Sequence, residues 1–133
     1  MIIHSEQEML DFGKEFAKHP SHIIELVGDV GAGKTTFVRG LATGLGIKTP
    51  ITSPSFTISK SYALPNNSGY LIHYDFYRLS DPGLMSEDLA ESIANPNNII
   101  VIEWGESVSN LLPKNHTIIK INYTESGDRE VIL

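Results

Sequence analysis

The segment Gly28-Asp29-Val30-Gly31-Ala32-Gly33-Lys34-Thr35 carries the spacing G-x-x-x-x-G-K-[ST]. Glycines at this spacing let the backbone wrap tightly enough for its N–H groups to converge on an oxyanion. A helix opening at the end of the segment adds the positive pole of its dipole. The lysine after the last glycine reaches the terminal phosphates of a nucleotide, and the hydroxyl beside it is placed for magnesium. Lys34 and Thr35 hold those two places, and the Thr36 hydroxyl is within reach of an α-phosphate. A ligand-free glycine turn is the plainer alternative. The complete match, set between an apolar run and a helical pattern, argues for ATP with Mg2+. The expected nucleotide set is Gly28, Asp29, Gly31, Ala32, Gly33, Lys34, Thr35 and Thr36, with Asp75.

Such a loop works with an acid at the end of an apolar strand, which holds the metal or its water shell. Two acids compete for that place. Asp75 closes the stretch that starts at Tyr70, and Glu103 closes the run that starts at Ile99. Residue chemistry alone leaves both open. The Ile99 run is the more apolar, hence the more central, and a central strand neighbours the loop strand more readily. Glu103 is therefore expected on the metal side with Thr35. Asp75, with His73 and Tyr77 on the same face of an extended chain, is expected to position the attacking water or to close over the γ-phosphate. Asp75 and Lys34 are thus the expected catalytic pair. Ser53, Ser55 and Thr57 offer hydroxyls for a switch loop that senses the γ-phosphate; an ordinary polar loop fits them equally well. The histidines are scattered without metal-ligand spacing, and His73 reads as a packed strand residue.

These side chains need elements to hold them. Ser5 and Glu8 form a capping box, so a helix is predicted from Glu6 to about Lys18, with Met9, Phe12 and Phe16 on its buried stripe. Ile23 to Val27 is a short apolar run, as in a strand buried on both faces of a parallel sheet. After the glycine loop a helix is predicted from Lys34 to Leu45. Gly40 and Gly44 weaken it by roughly 1 kcal/mol each, and close packing against the sheet is the expected reason for them. From Phe56 to Tyr62 the period-two alternation reads as a strand. A turn at Asn66-Asn67-Ser68-Gly69 leads to the return strand Tyr70 to Asp75. Asp81-Pro82 should start a short helix, with Asp81 as its cap. Ile99 to Trp104 is the second central strand. Successive strand residues face opposite ways, so Trp104 and Glu103 are expected in different environments. Leu111-Leu112-Pro113 reads as a connector. Thr117 to Tyr123 and Arg129 to Leu133 read as a final strand pair.

The totals agree with one α/β domain over residues 1–133. Apolar residues are 41% and charged residues 20% of the chain, ordinary usage for a packed core. Cysteine is absent, which excludes a disulfide framework and thiolate metal sites. No apolar run approaches the roughly 20 residues of a membrane helix, and the N-terminus lacks the pattern of a signal peptide. A cytoplasmic location is expected. The net charge of −6 disfavours unaided binding to nucleic acid. The arginines are Arg39, Arg78 and Arg129 only.

Several segments together resemble one known family. They are Gly28-Asp29 with Gly31 to Thr36, Ser53-Pro54-Ser55-Phe56, His73-Tyr74-Asp75-Phe76-Tyr77-Arg78-Leu79, and Ile102-Glu103-Trp104. In that order and spacing they are similar to the TsaE (YjeE) family of bacterial ATPases, which assist threonylcarbamoyladenosine formation in tRNA. The glycine loop is common to many families; the other segments in combination with it are far more specific. The resemblance implies a P-loop NTPase-type three-layer sandwich, with a mainly parallel central sheet, an antiparallel hairpin and C-terminal strands. It implies hydrolysis of ATP in support of the TsaB and TsaD proteins, with tRNA met only through that complex. It associates Thr35 and Glu103 with magnesium, and Asp75 with nucleotide and activity. Ser55, Ala90 and Gly105 stand where the family more often has threonine, glycine, and a bulkier residue or proline.

Two other functions remain open to the sequence. A small-molecule P-loop kinase is one, although such enzymes clamp phosphates with several arginines. A nucleotide-gated binding module with negligible turnover is the other.

Overall fold

The computed structural model describes residues 1–29, 31–54, 57–77 and 81–133. Ser5 accepts a hydrogen bond from the Glu8 N–H at 3.1 Å, and this cap starts helix α1, Glu6–Phe16. The two-residue strand β1, Ile2–Ile3, precedes it. The apolar run after α1 forms β2, Ile23–Val27, and the glycine loop leads into α2, Lys34–Gly44. A hairpin follows, made of β3, Ser59–Ala63, and β4, Tyr70–Asp75. Next come α3, Met85–Ala94, and β5, Ile99–Glu103. The antiparallel pair β6, Thr117–Tyr123, and β7, Arg129–Ile132, ends the chain.

The strands form one sheet in the order β1-β7-β6-β2-β5-β4-β3. Its centre is parallel, through the pairs β6–β2, β2–β5 and β5–β4, and antiparallel strands flank it on both sides. β5 lies directly beside the loop strand β2, as the Ile99 run led one to expect. Alternation splits the sheet's side chains between two cores. Ile24, Leu26, Val101, Ile119 and Ile121 pack with Met9, Phe37, Val38 and Leu41 from α1 and α2. Ile23, Ile72, Tyr74, Ile100 and Ile102 pack on the other face with Leu89 of α3 and with Val108 and Leu112. Helices on both faces make the expected α/β sandwich.

Five local expectations change. The first strand, β1, was hidden by its length: two residues carry no periodicity. The hairpin's first strand begins at Ser59, because Ile58 turns to a left-handed φ of 67°, while Phe56 lies outside the described residues. The Asp81 side chain accepts from the Gly83 N–H at 3.0 Å, a local turn that delays α3 to Met85. Residues Gly105–Leu111 form a 3-10 helix, which the sequence reading did not anticipate and which takes in Leu111, the first residue of the expected Leu111-Leu112-Pro113 connector. Gly40 and Gly44 face α1 rather than the sheet. A Cβ on Gly40 would stand 2.3 Å from the Leu10 carbonyl oxygen, and one on Gly44 would stand 2.6 Å from the Ala17 Cβ.

Candidate functional site

β4 and β5 run parallel with Asp75 opposite Glu103, and β5 pairs β2 with Glu103 opposite Leu26. In-register partners project to the same face, as do residues two apart on one strand. His73, Asp75 and Glu103 therefore emerge together at the carboxyl ends of the parallel strands, on the face that α2 covers. Ligands of open α/β sheets sit at this edge.

The glycine loop runs from the end of β2 to the first turn of α2. Gly33 is the residue before α2, with φ at 109°, and Gly31 has φ at 82°. These are left-handed conformations that side chains with a Cβ avoid. The Ala32 N–H closes the turn on the Asp29 carbonyl at 3.0 Å, while the Asp29 side chain is exposed. Lys34 opens the helix and is only 6% exposed. Its Nζ donates to the Gly28 carbonyl at 2.5 Å and lies 3.5 Å from Glu103 Oε1. The ammonium also lies 4.5 Å from the centre of the Trp104 ring.

Glu103 is 4% exposed, and its other oxygen, Oε2, is hydrogen-bonded to Nε2 of His73, which is fully buried. Burial works most strongly against its charge. The His73 hydrogen bond and the charges of His73 and Lys34 outweigh that and hold the carboxyl below the usual range. Asp75 is less enclosed. Burial pushes its carboxyl above the usual range, helped by the Glu103 charge and opposed by the Tyr77 N–H, His73 and Lys34. That Tyr77 N–H donates to Asp75 Oδ1 at 3.0 Å and fixes the carboxylate's direction.

These groups surround a cavity of about 350 Å³. Gly31, Gly33, Lys34, Thr35 and Thr36 form one wall, and Asp75, Tyr77, Glu103 and Trp104 the other. Trp104 does not face away from Glu103. β5 ends at Glu103, and Trp104 adopts φ 56° and ψ 51°, which breaks the strand's alternation and swings the indole into the same cavity. Its ring meets Tyr77 at a centroid distance of 4.9 Å. A left-handed backbone at a bulky aromatic is an outlier of the kind that clusters at functional sites. Ser53 also lines the cavity. The Thr57 hydroxyl instead donates to the Ser59 carbonyl at 3.0 Å, and Ser55 lies outside the described residues.

A second cavity, of about 400 Å³, opens on the other side of the loop. His4, Glu6, Met9, Arg39, Gly127 and Arg129 line it together with Gly31, Ala32, Gly33 and Thr36. The sequence reading missed these residues, and also Tyr123, whose hydroxyl donates to the Gly31 carbonyl at 2.5 Å. They come from the link between β1 and α1, from α1 and α2, and from the β6–β7 hairpin. Only α2 is joined to the loop in sequence, and no spacing in the chain ties the other elements to it. The role of His73 was missed for a related reason. Its place two residues before Asp75 was legible, but its contact with Glu103 depends on the β4–β5 register.

Among the described residues no group of three or more histidine, aspartate or glutamate side chains is arranged to hold a metal. The donors fit magnesium nonetheless. That ion takes one or two protein oxygens and completes its shell with phosphates and water. Thr35 and the carboxylates of Glu103 and Asp75 all border the phosphate-side cavity.

Residues 3–131 match the family model described as threonylcarbamoyl adenosine biosynthesis protein TsaE. A protein of Haemophilus influenzae called tRNA threonylcarbamoyladenosine biosynthesis protein TsaE is 34% identical, over 94% of this chain and 82% of its own. The Bacillus subtilis protein of the same name is 40% identical, over 87% of this chain and 70% of its own. The crystal structure of YdiB from Bacillus subtilis superposes with a TM-score of 0.75 at 31% identity, covering 98% of this chain and 80% of that one. With nearly its whole length matched in sequence and fold, the chain belongs to the TsaE family.

Proposed function

We propose that this protein binds ATP with magnesium in the cavity between the glycine loop and the ends of β4 and β5, and hydrolyses it in support of threonylcarbamoyladenosine formation in tRNA. The observation that carries the reading is the buried Lys34 ammonium, held within 3.5 Å of Glu103 beside Thr35 at the start of α2. A buried cation at a helix N-terminus, in a cavity lined by loop glycines, suits polyphosphate. Lys34 meets the β- and γ-phosphates, Thr35 and Glu103 hold the metal side, and Thr36 stands toward the α-phosphate. Gly31, Gly33 and Thr36 border both cavities, so the second cavity receives the ribose and base. Bound magnesium supplies charge neutralisation at the phosphate oxygens. Asp75, with its direction fixed by the Tyr77 N–H, accepts a hydrogen bond from the water that attacks. Turnover is slow in the isolated chain, and the TsaB and TsaD proteins are the partners that raise it.

The kinase reading has less support. Among the described residues that line the phosphate-side cavity there is no arginine.

The test is ATP turnover with and without TsaB and TsaD, on the wild type and on Lys34→Ala. Truncating one member of a buried charged contact costs about 2–5 kcal/mol, so the variant should lose at least about 30-fold in ATP affinity or turnover. A variant that keeps wild-type turnover removes the site assignment. A wild type that binds ATP but turns nothing over, even with both partners, leaves the binding-module function in its place.

A further inference from the structure

We propose that Tyr123 is a positioning residue for the phosphate loop, one half of a brace by which the β6–β7 hairpin holds the loop in its binding shape before any nucleotide arrives. This rests on the reading of the loop as the ATP phosphate site.

The loop is the part of the site least able to hold itself. Gly31 and Gly33 both adopt left-handed φ, and glycine loses more conformational freedom on ordering than any other residue. The loop's own Ala32–Asp29 turn is a single hydrogen bond, so further order in an unliganded glycine loop must come from outside it. β6 supplies the first contact. The Ile121 carbonyl lies so close to Gly28 that a Cβ there would stand 2.5 Å away. Two residues on, the Tyr123 hydroxyl donates to the Gly31 carbonyl at 2.5 Å. The same peptide's N–H, on Ala32, bonds the Asp29 carbonyl at 3.0 Å, so that peptide plane is gripped at both ends.

Arg129 holds the next plane. It pairs with Tyr123 across the hairpin, and its Nε donates to the Ala32 carbonyl at 3.1 Å. Carbonyl and N–H of one planar peptide point in opposite directions. A carbonyl pinned to Arg129 therefore turns the Gly33 N–H away from the hairpin. The guanidinium is itself fixed: its carbon sits 3.9 Å from the centre of the Tyr123 ring, and its Nη1 donates to the Gly127 carbonyl at 2.5 Å. Tyr123 thus acts twice, by its own hydrogen bond and as the platform for Arg129. With about half its surface exposed at 50%, it is not held in place as a core residue.

The test uses the full chain and Tyr123→Phe, which keeps the ring and removes the hydroxyl. Calorimetry measures binding of ATP with magnesium and of inorganic tripolyphosphate with magnesium, which has no base or sugar. Hydrogen exchange reads the loop amides without ligand, and thermal unfolding reads the fold. One neutral hydrogen bond predicts a loss of about three- to ten-fold, the same for both ligands. Loop amides should exchange faster and the unfolding midpoint should stay unchanged. Wild-type affinity for both ligands with unaltered exchange overturns the brace. A loss confined to ATP also overturns it, because Tyr123 would then be reading the nucleoside. A lowered midpoint that accounts for the loss assigns Tyr123 to general stability instead. If the wild type binds neither ligand, the phosphate-site reading fails, and the exchange experiment still decides whether Tyr123 orders the loop.

Discussion

Asp75 and Glu103 stand opposite each other on neighbouring strands, yet their surroundings push their carboxyls in opposite directions. Glu103 is held ionised by His73 and Lys34 and suits a permanent charge beside a metal. Asp75 sits under burial with no partner of that strength, and suits a group that exchanges hydrogen bonds with water. Their substitutions should separate accordingly. Glu103→Ala should raise the magnesium concentration for half-maximal turnover. Asp75→Asn should lower turnover by about 10²-fold or more while leaving ATP affinity within a few-fold. The opposite pattern would exchange the two roles.

The same contrast carries into stability. A folded-state pKa above the unfolded one makes ionisation of Asp75 a cost to folding, fully present above the folded value and absent below the unfolded one. Asp75→Asn should therefore unfold at a higher temperature than the wild type at neutral pH, and the gap should close as the pH falls through the carboxylate range. Glu103 runs the other way, since its contribution is present above the unfolded value and fades as the pH falls through the depressed folded one. Trp104 offers an optical readout of the same cluster. The Lys34 ammonium lies 4.5 Å from its ring, so a nucleotide that draws Lys34 to phosphate should change the fluorescence of this lone tryptophan. Confirmed ATP binding with a silent indole would mean that Lys34 does not leave the ring.

The elements that present these residues meet through unusual contacts. α1 and α2 approach so closely that three glycines lie at their interface. A Cβ on Gly13 would stand 2.5 Å from the Phe37 carbonyl oxygen, and one on Gly40 would stand 2.3 Å from that of Leu10. Helix propensity alone predicts that Gly40→Ala stabilises α2 by roughly 1 kcal/mol. The contact reverses that sign: the two backbones must part, at a cost of about 1–3 kcal/mol. Urea unfolding should show a net loss, and a net gain would mean that the helices can shift apart freely. On the opposite face Tyr74 ties β4 to α3, its hydroxyl donating to Asp88 Oδ1 at 2.5 Å and lying 2.8 Å from Ser92 Oγ. Burial, then the Asp88 contact, drives its phenol far above the usual range, so it stays a donor at any working pH. This bond secures the strand that carries both His73 and Asp75.

As a whole the molecule is acidic, at a net charge of −6. Among the described residues no helix is long and apolar enough to cross a membrane. Affinity for nucleic acid grows with the number of phosphates that lysine and arginine neutralise. The isolated chain should therefore show no tight, salt-sensitive shift of tRNA on a gel at physiological salt. Such a shift would place tRNA contact on this protein directly.

Local features were legible from the chain because they depend on near neighbours. The glycine loop, the Ser5 cap, the strand runs and the α2 start all follow from residue types within a few positions of one another. Even the rivalry of Asp75 and Glu103 was visible, since a strand-end acid is a local pattern, and the greater apolarity of the Ile99 run pointed to its place beside β2. What required tertiary structure was everything set by register and by contact between distant segments. His73 meets Glu103 only because β4 and β5 pair in the register they do. Trp104 joins the cavity only because its backbone turns left-handed where the strand pattern predicted continued alternation. Tyr123 and Arg129 reach a loop more than ninety positions earlier, at Gly31 and Ala32. Periodicity within a segment says which face of it is apolar. It does not say which distant segment closes against that face, because that choice is made by packing of the whole chain.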